Sequence, residues 1–551
     1  MRIFSRKCTP GGKVKYCFCG LPVFSRRPNF NGIPNGFTAI YREKELAAYR
    51  EFMGDGRIPD PLPGAIQTVC LISTNCAKGL EQVMSDERVF ITVLGMPLIA
   101  MSEPEVMAVV KKYRNRIGRV WDPLPHDYDL FFKLTESDYN LRFEEQREFA
   151  VAQLKAERAL MRHMFDLGEV DFRYLRALRF WCGVFAKGEI RFVLSNRMEH
   201  GDLGDSVIFE AAFRAKVPVY EISCEFGSKR TTAYTVKELT AAGAEFCPVA
   251  DVACGRFACD IGDFVHDPNC ANRASVTGKG LSETALLESV KRTGEYLRFR
   301  RGLADGQTAV ERFRERTGPF ETWLMRDPVR LAEESRHLLE LKRMYEAIAE
   351  RPVAGEKFVF LALHLEPEAT ILNRGRISNQ LFVARTIAEN LPPGWKLYVK
   401  EHPMQFYLCT FDHPQFFHLS KNVEYFRSAQ FYAELKRMPN TRVIAADEPS
   451  EALIDDSQAV ATISGTVCLE AVVQNRPLMM FSDSTNVISK VHGVHCVKAV
   501  SDVKRALDTI AAGESPAYDN LKEVAADYLI TAPDYGILLD YAERKLGLKQ
   551  G

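Results

Sequence analysis

No segment of this sequence approaches the roughly 18 to 20 consecutive apolar residues that a membrane-spanning helix needs. The first residues also lack an apolar stretch that ends in a small-residue cleavage site, so we expect no signal peptide and a cytoplasmic location. Net charge is absent as well, because 72 basic residues balance 72 acidic ones, and no overall field favours nucleic acid as a partner. A hydrophobic fraction of 46% over 551 residues is instead typical of a soluble globular protein with two or three domains.

A disulfide framework is not indicated, since 14 cysteines are spread over a long chain. Four of them lie in one loop-like stretch together with a histidine: Cys247, Cys254, Cys259, Cys270 and His266. Their spacing differs from the paired Cys-x-x-Cys pattern of zinc ribbons, so we expect reduced thiols, no metal and no cofactor. Zinc or an iron–sulfur cluster is the alternative, and metal analysis of the purified protein separates the two.

Acidic residues are missing from the start of the chain. Every charged residue before Glu43 is basic, and aromatic side chains such as Tyr16, Phe18 and Phe24 are interleaved with them. A basic, aromatic-rich segment can rest on an anionic membrane surface, here the inner face of the cell membrane. A solvated tail is the competing interpretation, and the sequence leaves both open.

Short apolar runs alternate with helical patterns through most of the chain, which predicts doubly wound parallel sheets. The predicted fold class is α/β, with two Rossmann-like domains and a helical linker or insertion. The predicted organisation is a basic lead over 1–60, an N-terminal Rossmann-like domain over 61–230, an insertion and helical linker over 231–350, a C-terminal Rossmann-like domain over 351–525 and a final helix over 526–551.

One predicted strand in the C-terminal half, Trp395–Lys400, ends in residues suited to an anion. Lys400 adds a point charge there. His402 can donate a hydrogen bond to a phosphate oxygen, which protonation strengthens, and Pro403 stops the strand. An idle imidazole at a capped strand end is the alternative.

A second strand end opens directly into a predicted helix, whose first N–H groups and partial positive charge suit a phosphate. Gly465 lets the backbone approach a ligand closely. Ser464 is predicted to cap the helix, and with Thr466 it can supply hydroxyl donors. Glu470, one turn along, can accept ribose hydroxyls, although a solvated carboxylate fits the same position.

A third polar loop follows the first predicted strand of the C-terminal half. His364, Glu366 and Glu368 in this loop can contact a sugar or position a base. A polar turn between strand and helix is the alternative interpretation.

A fourth polar loop lies in the N-terminal half and contains Glu199, His200 and Asp202. One of its carboxylates can act as the general base that deprotonates an acceptor hydroxyl, with His200 orienting or replacing it. A solvated turn that ends in Asp205 as a helix cap fits the same residues.

Taken in order, three of these motifs resemble the bacterial capsule and surface-polysaccharide synthesis family, which includes the Kdo transferases of capsule assembly. The matching pieces are Leu-His-x-x-Pro-Glu-Ala-Thr ending at Thr370, Lys-Glu-His-Pro ending at Pro403, and Ser-Gly-Thr-x-x-x-Glu-Ala ending at Ala471. Glu199-His200 followed by Ser206–Ala212 resembles the family's N-terminal half. The resemblance implies a GT-B glycosyltransferase in which His402, Ser464 and Thr466 contact the phosphate of a CMP-sugar.

The sequence therefore predicts a metal-independent glycosyltransferase of bacterial capsule, lipopolysaccharide or other surface-polysaccharide assembly. Its predicted partners are a nucleotide-sugar donor, held by the C-terminal domain, and a glycan or glycolipid acceptor, held by the N-terminal domain. Three alternatives stay open: a nucleotide-sugar 2-epimerase, a polyol-phosphate transferase of the same architecture, and a non-catalytic scaffold of polysaccharide export.

Overall fold

A computed structural model divides the chain into two compact units, residues 1–39 and 40–551. The residues that it describes are 4–8, 14–18, 21–26, 59–72, 77–96, 104–121, 167–186, 189–196, 205–227, 232–249, 261, 328–366, 371, 377–402, 405–407, 426–482 and 485–548. Among the described helices, none is both long and apolar enough to cross a membrane.

The first unit contains a small antiparallel sheet in the basic lead. Its three strands are β1 (Phe4–Cys8), β2 (Val14–Phe18) and β3 (Leu21–Arg26), in the order β1-β2-β3. Phe4 pairs with Phe18 and Val14 pairs with Arg26. The sequence does not predict these strands, because Gly and Pro punctuate the segment and interrupt its periodicity.

The second unit begins with a seven-stranded sheet in the order β10-β9-β8-β7-β4-β5-β6. The strands are β4 (Ile66–Leu71), β5 (Val89–Gly95), β6 (Ile117–Trp121), β7 (Ile190–Ser195), β8 (Val219–Gly227), β9 (Thr232–Leu239) and β10 (Ala244–Cys247). Strands β4 to β8 are parallel, whereas β9 and β10 are antiparallel additions at one edge. The described helices that accompany it are α1 (Ala77–Ser85), α2 (Pro104–Lys112), α3 (Leu167–Phe185) and α4 (Asp205–Arg214).

Strand β9 shows why periodicity alone does not reveal this edge. Thr235 and Lys237 are both completely buried within it, so two polar residues stand where an apolar pattern would mark a strand. Lys237 is tolerated there because its ammonium lies 2.5 Å from the carboxylate of Glu225 on β8. The ion pair with the neighbouring strand therefore allows a polar residue to be buried at a position where a strand usually has an apolar one.

A six-stranded parallel sheet follows in the order β13-β12-β11-β14-β15-β16. Its strands are β11 (Phe358–Ala362), β12 (Lys396–Lys400), β13 (Thr441–Ile444), β14 (Ala459–Thr462), β15 (Leu478–Met480) and β16 (His495–Cys496). Its helices are α5 (Pro328–Ile348), α6 (Gln380–Asn390), α7 (Ala429–Arg437), α8 (Ser450–Asp456), α9 (Thr466–Val473) and α10 (Val500–Ala511). Both faces of the sheet are covered, since Leu397 and Val399 pack in one apolar core and Tyr398 in another.

Two last helices, α11 (Leu521–Tyr528) and α12 (Tyr535–Lys545), complete the chain. α12 returns to the N-terminal sheet, where Leu538 and Ala542 join its apolar core. The packing is tight, because a Cβ added to Gly79 of α1 would lie 2.5 Å from the ring of Tyr535. The predicted α/β class with two Rossmann-like parallel sheets is thus confirmed, and the predicted domain boundaries stay predictions.

Candidate functional site

The C-terminal sheet changes direction between β11 and β14. From β11 the chain proceeds outward through β12 and β13, and it then returns to place β14 on the other side of β11. Ligands of such sheets bind outside the carboxyl ends of the strands at this switch point. The loops that follow Ala362, Lys400 and Thr462 are therefore neighbours at one edge, as the sequence predicts for its three polar loops.

His364 joins the loop after β11 to the loop after β14. Its Nε2 accepts the backbone N–H of Ser464 at 3.0 Å and lies 3.1 Å from the hydroxyl of Thr462. Because Nε2 accepts an amide N–H, the proton of the neutral ring is on Nδ1. The backbone of His364 is fixed too, since its N–H and C=O bond to the amide of Gln380 at 2.6 and 3.1 Å.

Gly465 is the N-cap residue of α9, and the prediction that Ser464 caps this helix is wrong. Ser464 is one position too early, and its N–H is already bonded to His364. Gly465 has φ 92° and ψ −177° and provides no side-chain cap. The start of α9 therefore has no capping side chain to compete with an anion for its first N–H groups.

Gly465→Ala should lower the free energy of unfolding by ~3 kcal/mol, because that backbone conformation is nearly restricted to glycine. The added Cβ would also lie 3.3 Å from Cε1 of His364 and push the ring from Ser464. Gly513→Ala is the matched control, since Gly513 has φ +85° but no atom within 4 Å of its Cβ position. It should cost about 1 kcal/mol. Equal losses in urea unfolding would contradict the contact between His364 and Gly465.

The end of β12 presents alternate residues to opposite faces of the sheet. Lys400 is 5% exposed and its ammonium donates to the hydroxyl of Ser450 on α8 at 2.7 Å. Burial lowers its pKa to about 8, although the carboxylate of Glu470 on α9 acts in the opposite direction. Two predicted donor-binding residues, Lys400 and Glu470, are thus brought to the same side of the sheet.

A buried arginine holds the two histidine loops from the other face. Arg427 is completely buried, and its Nε donates to Glu401 Oε2 at 2.7 Å while its Nη1 pairs with Glu366. Its Nη2 donates to the carbonyl of His364 at 3.0 Å. Glu401 in turn accepts the backbone N–H of His402 at 2.8 Å. One guanidinium therefore fixes the loops after β11 and β12 relative to each other.

Aromatic side chains enclose this cluster. The hydroxyl of Tyr432 donates to Glu401 at 2.9 Å, and the hydroxyl of Tyr345 accepts the backbone N–H of Glu401 at 3.0 Å. The ring of Phe431 lies 4.3 Å from Cζ of Arg427, close enough for a cation–π contact. The ionic groups are thus removed from water, where loss of a partner is most costly.

Both histidines of the site are neutral near pH 7. Burial, together with the charge of Arg427, lowers the pKa of His364 to about 4. Burial also lowers the pKa of His402 to about 3, with His364, Lys400 and Arg427 acting in the same direction. In contrast, burial raises the pKa of Glu366 to about 7 against the opposing effect of Arg427. His402 is therefore suited to donate a hydrogen bond as a neutral imidazole.

Acidification below pH 6.5 should destabilise the fold through these histidines. The unfolded chain binds protons there while folded His364 and His402 do not, so stability is present above pH 6.5 and is lost toward pH 4 and pH 3. Each histidine contributes about 1.4 kcal/mol per pH unit. Glu366 acts oppositely, because its raised pKa favours the folded state at low pH.

Urea unfolding at several pH values isolates the His402 contribution. His402→Ala should lose less stability than the wild type on acidification, by about 1.4 kcal/mol per pH unit below 6.5. Parallel pH profiles for the two proteins would show that the imidazole is not desolvated in the folded state.

Several predicted residues cannot be compared with the geometry. Those outside the described residues are Glu199, His200, Asp202, Glu368 and Pro403. The same holds for Cys254, Cys259, Cys270 and His266. Cys247 is described, and burial raises the pKa of its thiol to about 12. Within the described ranges, no group of three or more His, Cys, Asp or Glu is arranged to hold a metal ion.

The fold and site together define a Rossmann-type α/β protein with an anion-compatible switch point. Residues 373–488 match the family model for capsule polysaccharide biosynthesis proteins. This segment lies within the C-terminal sheet region and includes both the His402 and Ser464 motifs, so the resemblance to the capsule synthesis family is confirmed. No curated protein matches the chain.

Solved structures also show similarity to the chain. A UDP-GlcNAc 2-epimerase from Neisseria meningitidis, bound to UDP-GlcNAc, is 11% identical over 88% of this chain and 100% of its own, with a TM-score of 0.22. The KpsC beta Kdo 2,4 transferase of Thermosulfurimonas dismutans is 13% identical over 64% of this chain and 88% of its own, with a TM-score of 0.24. The KpsC beta Kdo 2,7 transferase from the same organism is 14% identical over 70% of this chain and 98% of its own, with a TM-score of 0.24. With TM-scores this low, the fold assignment rests on the sheet order and not on these likenesses.

Proposed function

We propose that this chain is a metal-independent glycosyltransferase of bacterial surface-polysaccharide assembly. It moves a sugar from a nucleotide-sugar donor to a growing capsule, lipopolysaccharide or related glycan. We favour a CMP-sugar as that donor. The C-terminal sheet holds the donor, and the N-terminal sheet holds the glycan or glycolipid acceptor.

The observation that carries the proposal is the junction of His364 with the Ser464–Gly465 turn at the switch point. That junction ties an uncapped helix start to the loop after β11, and β11 pairs with the strand that ends before His402. A phosphate fits such a place because amide N–H groups and a helix dipole favour negative charge. The match of residues 373–488 to the model for capsule polysaccharide biosynthesis proteins supports a role in surface-polysaccharide assembly.

In the proposed reaction the acceptor hydroxyl oxygen attacks the anomeric carbon of the donor sugar. The bond from that carbon to the phosphate oxygen breaks, and the nucleotide leaves with the electron pair. His402, Thr466 and the first N–H groups of α9 stabilise this departing anion. Glu199 or Asp202 accepts the proton of the acceptor hydroxyl.

The other residues of the site support these groups. Lys400 supplies positive charge at the end of β12, and Glu470 accepts hydrogen bonds from ribose hydroxyls. Glu366 is only 4% exposed and pairs with Arg427, so we assign it a positioning role for the His364 loop in place of a direct donor contact.

Incubation with CMP-, UDP-, GDP- and CDP-activated donors, with and without glycan acceptors, tests the proposal. We expect nucleotide release that depends on an acceptor and product that contains the donor sugar. Conversion of the donor without any acceptor would instead indicate a 2-epimerase. Release of CMP from a CDP-polyol would indicate a polyol-phosphate transferase, and either outcome would overturn the assignment.

A further inference from the structure

A buried ion pair between β8 and β9 of the N-terminal sheet reaches into the C-terminal half. The ammonium of Lys237 lies 2.5 Å from Glu225 Oε1, and both side chains are almost completely inaccessible to water. The hydroxyl of Thr235 donates to the same carboxylate oxygen at 2.7 Å. A buried ion pair is a weak source of net stability, so the directional bonds it makes elsewhere are its more distinctive feature.

Those bonds hold both ends of one short segment, residues 485–487. Lys237 Nζ donates to the carbonyl oxygen of Thr485 at 3.2 Å, and Glu225 Oε2 accepts the backbone N–H of Val487 at 3.1 Å. Apolar packing supports the contact, because Phe226 and Phe246 share a core with Val487. The β8–β9 strand pair therefore fixes this segment at both ends.

The middle residue of the segment contacts the start of α9. Asn486 Nδ2 lies 3.4 Å from the carbonyl oxygen of Gly465, while Asn486 Oδ1 accepts the N–H of Ile488 at 3.0 Å. The same carbonyl of Gly465 accepts the N–H of Cys468 in the first turn of α9. A continuous path of hydrogen bonds thus leads from Glu225 and Lys237 to the N-cap of α9.

We infer that Glu225 and Lys237 are positioning residues that set the Gly465 N-cap for the donor phosphate through residues 485–487. The inference rests on the proposed function, because it requires that the start of α9 binds the nucleotide. It adds that an element of the N-terminal sheet controls donor affinity without touching the donor.

The test compares nucleotide affinity with thermal stability in paired variants. Lys237→Met leaves a buried carboxylate without its ammonium, so it should melt well below the wild type. The double variant Glu225→Met, Lys237→Met removes both charges at similar volume and should recover much of that stability. Its dissociation constant for CMP or UDP should still be roughly five- to tenfold higher, because the bonds to the 485–487 segment are lost.

Two further variants complete the design. Asn486→Ser keeps an oxygen to cap Ile488 but is too short to reach Gly465, so it should weaken nucleotide binding while melting near the wild type. Lys545→Met is the control, because it removes an ion pair of 3.1 Å between the exposed Lys545 of α12 and Glu238, the neighbour of Lys237 on β9. It should change neither the dissociation constant nor the melting temperature.

The outcomes separate the inference from the function on which it rests. If wild-type protein binds none of CMP, UDP, GDP and CDP in calorimetry, the proposed function fails. If the wild type binds one of them and both the double variant and Asn486→Ser bind it equally well, the positioning role is overturned. If the double variant regains both the stability and the dissociation constant of the wild type, the ion pair has only a structural role and the inference is likewise overturned.

Discussion

His402→Ala is expected to lower the turnover of sugar transfer by roughly 100- to 1,000-fold, which is the effect of removing one hydrogen-bond donor to a developing anion. The imidazole follows β12 at the switch point and is held neutral by burial and nearby positive charge. A neutral imidazole keeps one ring N–H, which can donate a hydrogen bond to the leaving phosphate. A steady-state assay with saturating donor and acceptor measures the effect.

We expect the fold to survive this substitution, because two backbone hydrogen bonds that hold the His402 loop do not depend on the side chain at this position. The N–H of His402 donates to Glu401 and its carbonyl accepts the N–H of Gln405, and alanine keeps both groups. His492→Ala is the matched control, since His492 pairs with Asp519 at the surface and is 67% exposed. Near-normal turnover in His402→Ala would remove His402 from the mechanism.

Arg427→Met is expected to cost ~3–5 kcal/mol in the free energy of unfolding, the range for breaking a buried ion pair from one side. Methionine fills part of the space, but it leaves the carboxylates of Glu366 and Glu401 buried without their guanidinium. The His364 carbonyl loses a donor as well. Urea unfolding near pH 7 measures the loss, which should shrink at lower pH as Glu366, whose pKa is raised by burial, takes up a proton.

Arg351→Met provides the comparison at the surface. Arg351 also pairs with two carboxylates, Asp447 and Glu448, at 2.9 and 2.8 Å, but its side chain is 62% exposed. Its loss should cost much less than the loss of Arg427, because exposed ion pairs contribute little to stability. Similar losses in the two variants would show that Arg427 does not clamp the histidine loops in the folded protein.

The sequence predicts the strand ends of the site well, because chemistry and local pattern coincide there. Val399 and Ile463 end apolar runs, and polar residues follow each run at once. Parallel strands then bring such ends to one edge without any further information. This is why the sequence alone places His364, His402 and Ser464 at one edge of the sheet.

The supporting residues could not be predicted in the same way. Arg427 lies between Phe426 and Ser428 with no motif around it, and it is 26 residues from Glu401 and 61 from Glu366. Lys237 looks like a surface residue until Glu225 is placed beside it. Long-range pairing creates both roles, and one sequence without its fold contains no signal for such pairs.

The N-cap of α9 differs from the sequence prediction for a related reason. A serine before a glycine at a helix start fits an N-cap by local rules, but a partner 100 residues away decides the outcome. His364 takes the N–H of Ser464, which leaves Gly465 at the N-cap position. The tertiary contact thus removes a capping side chain from the place where a phosphate is proposed to bind.

Binding of CMP, UDP, GDP and CDP, measured by thermal shift and calorimetry, tests the central claim most directly. At 100 times its dissociation constant, the correct nucleotide should stabilise the wild type by ~2.7 kcal/mol. Gly513→Ala should retain this stabilisation and Gly465→Ala should lose it. Absence of stabilisation by any of the four nucleotides, or an equal response in Gly465→Ala, would contradict a nucleotide-sugar donor at the start of α9.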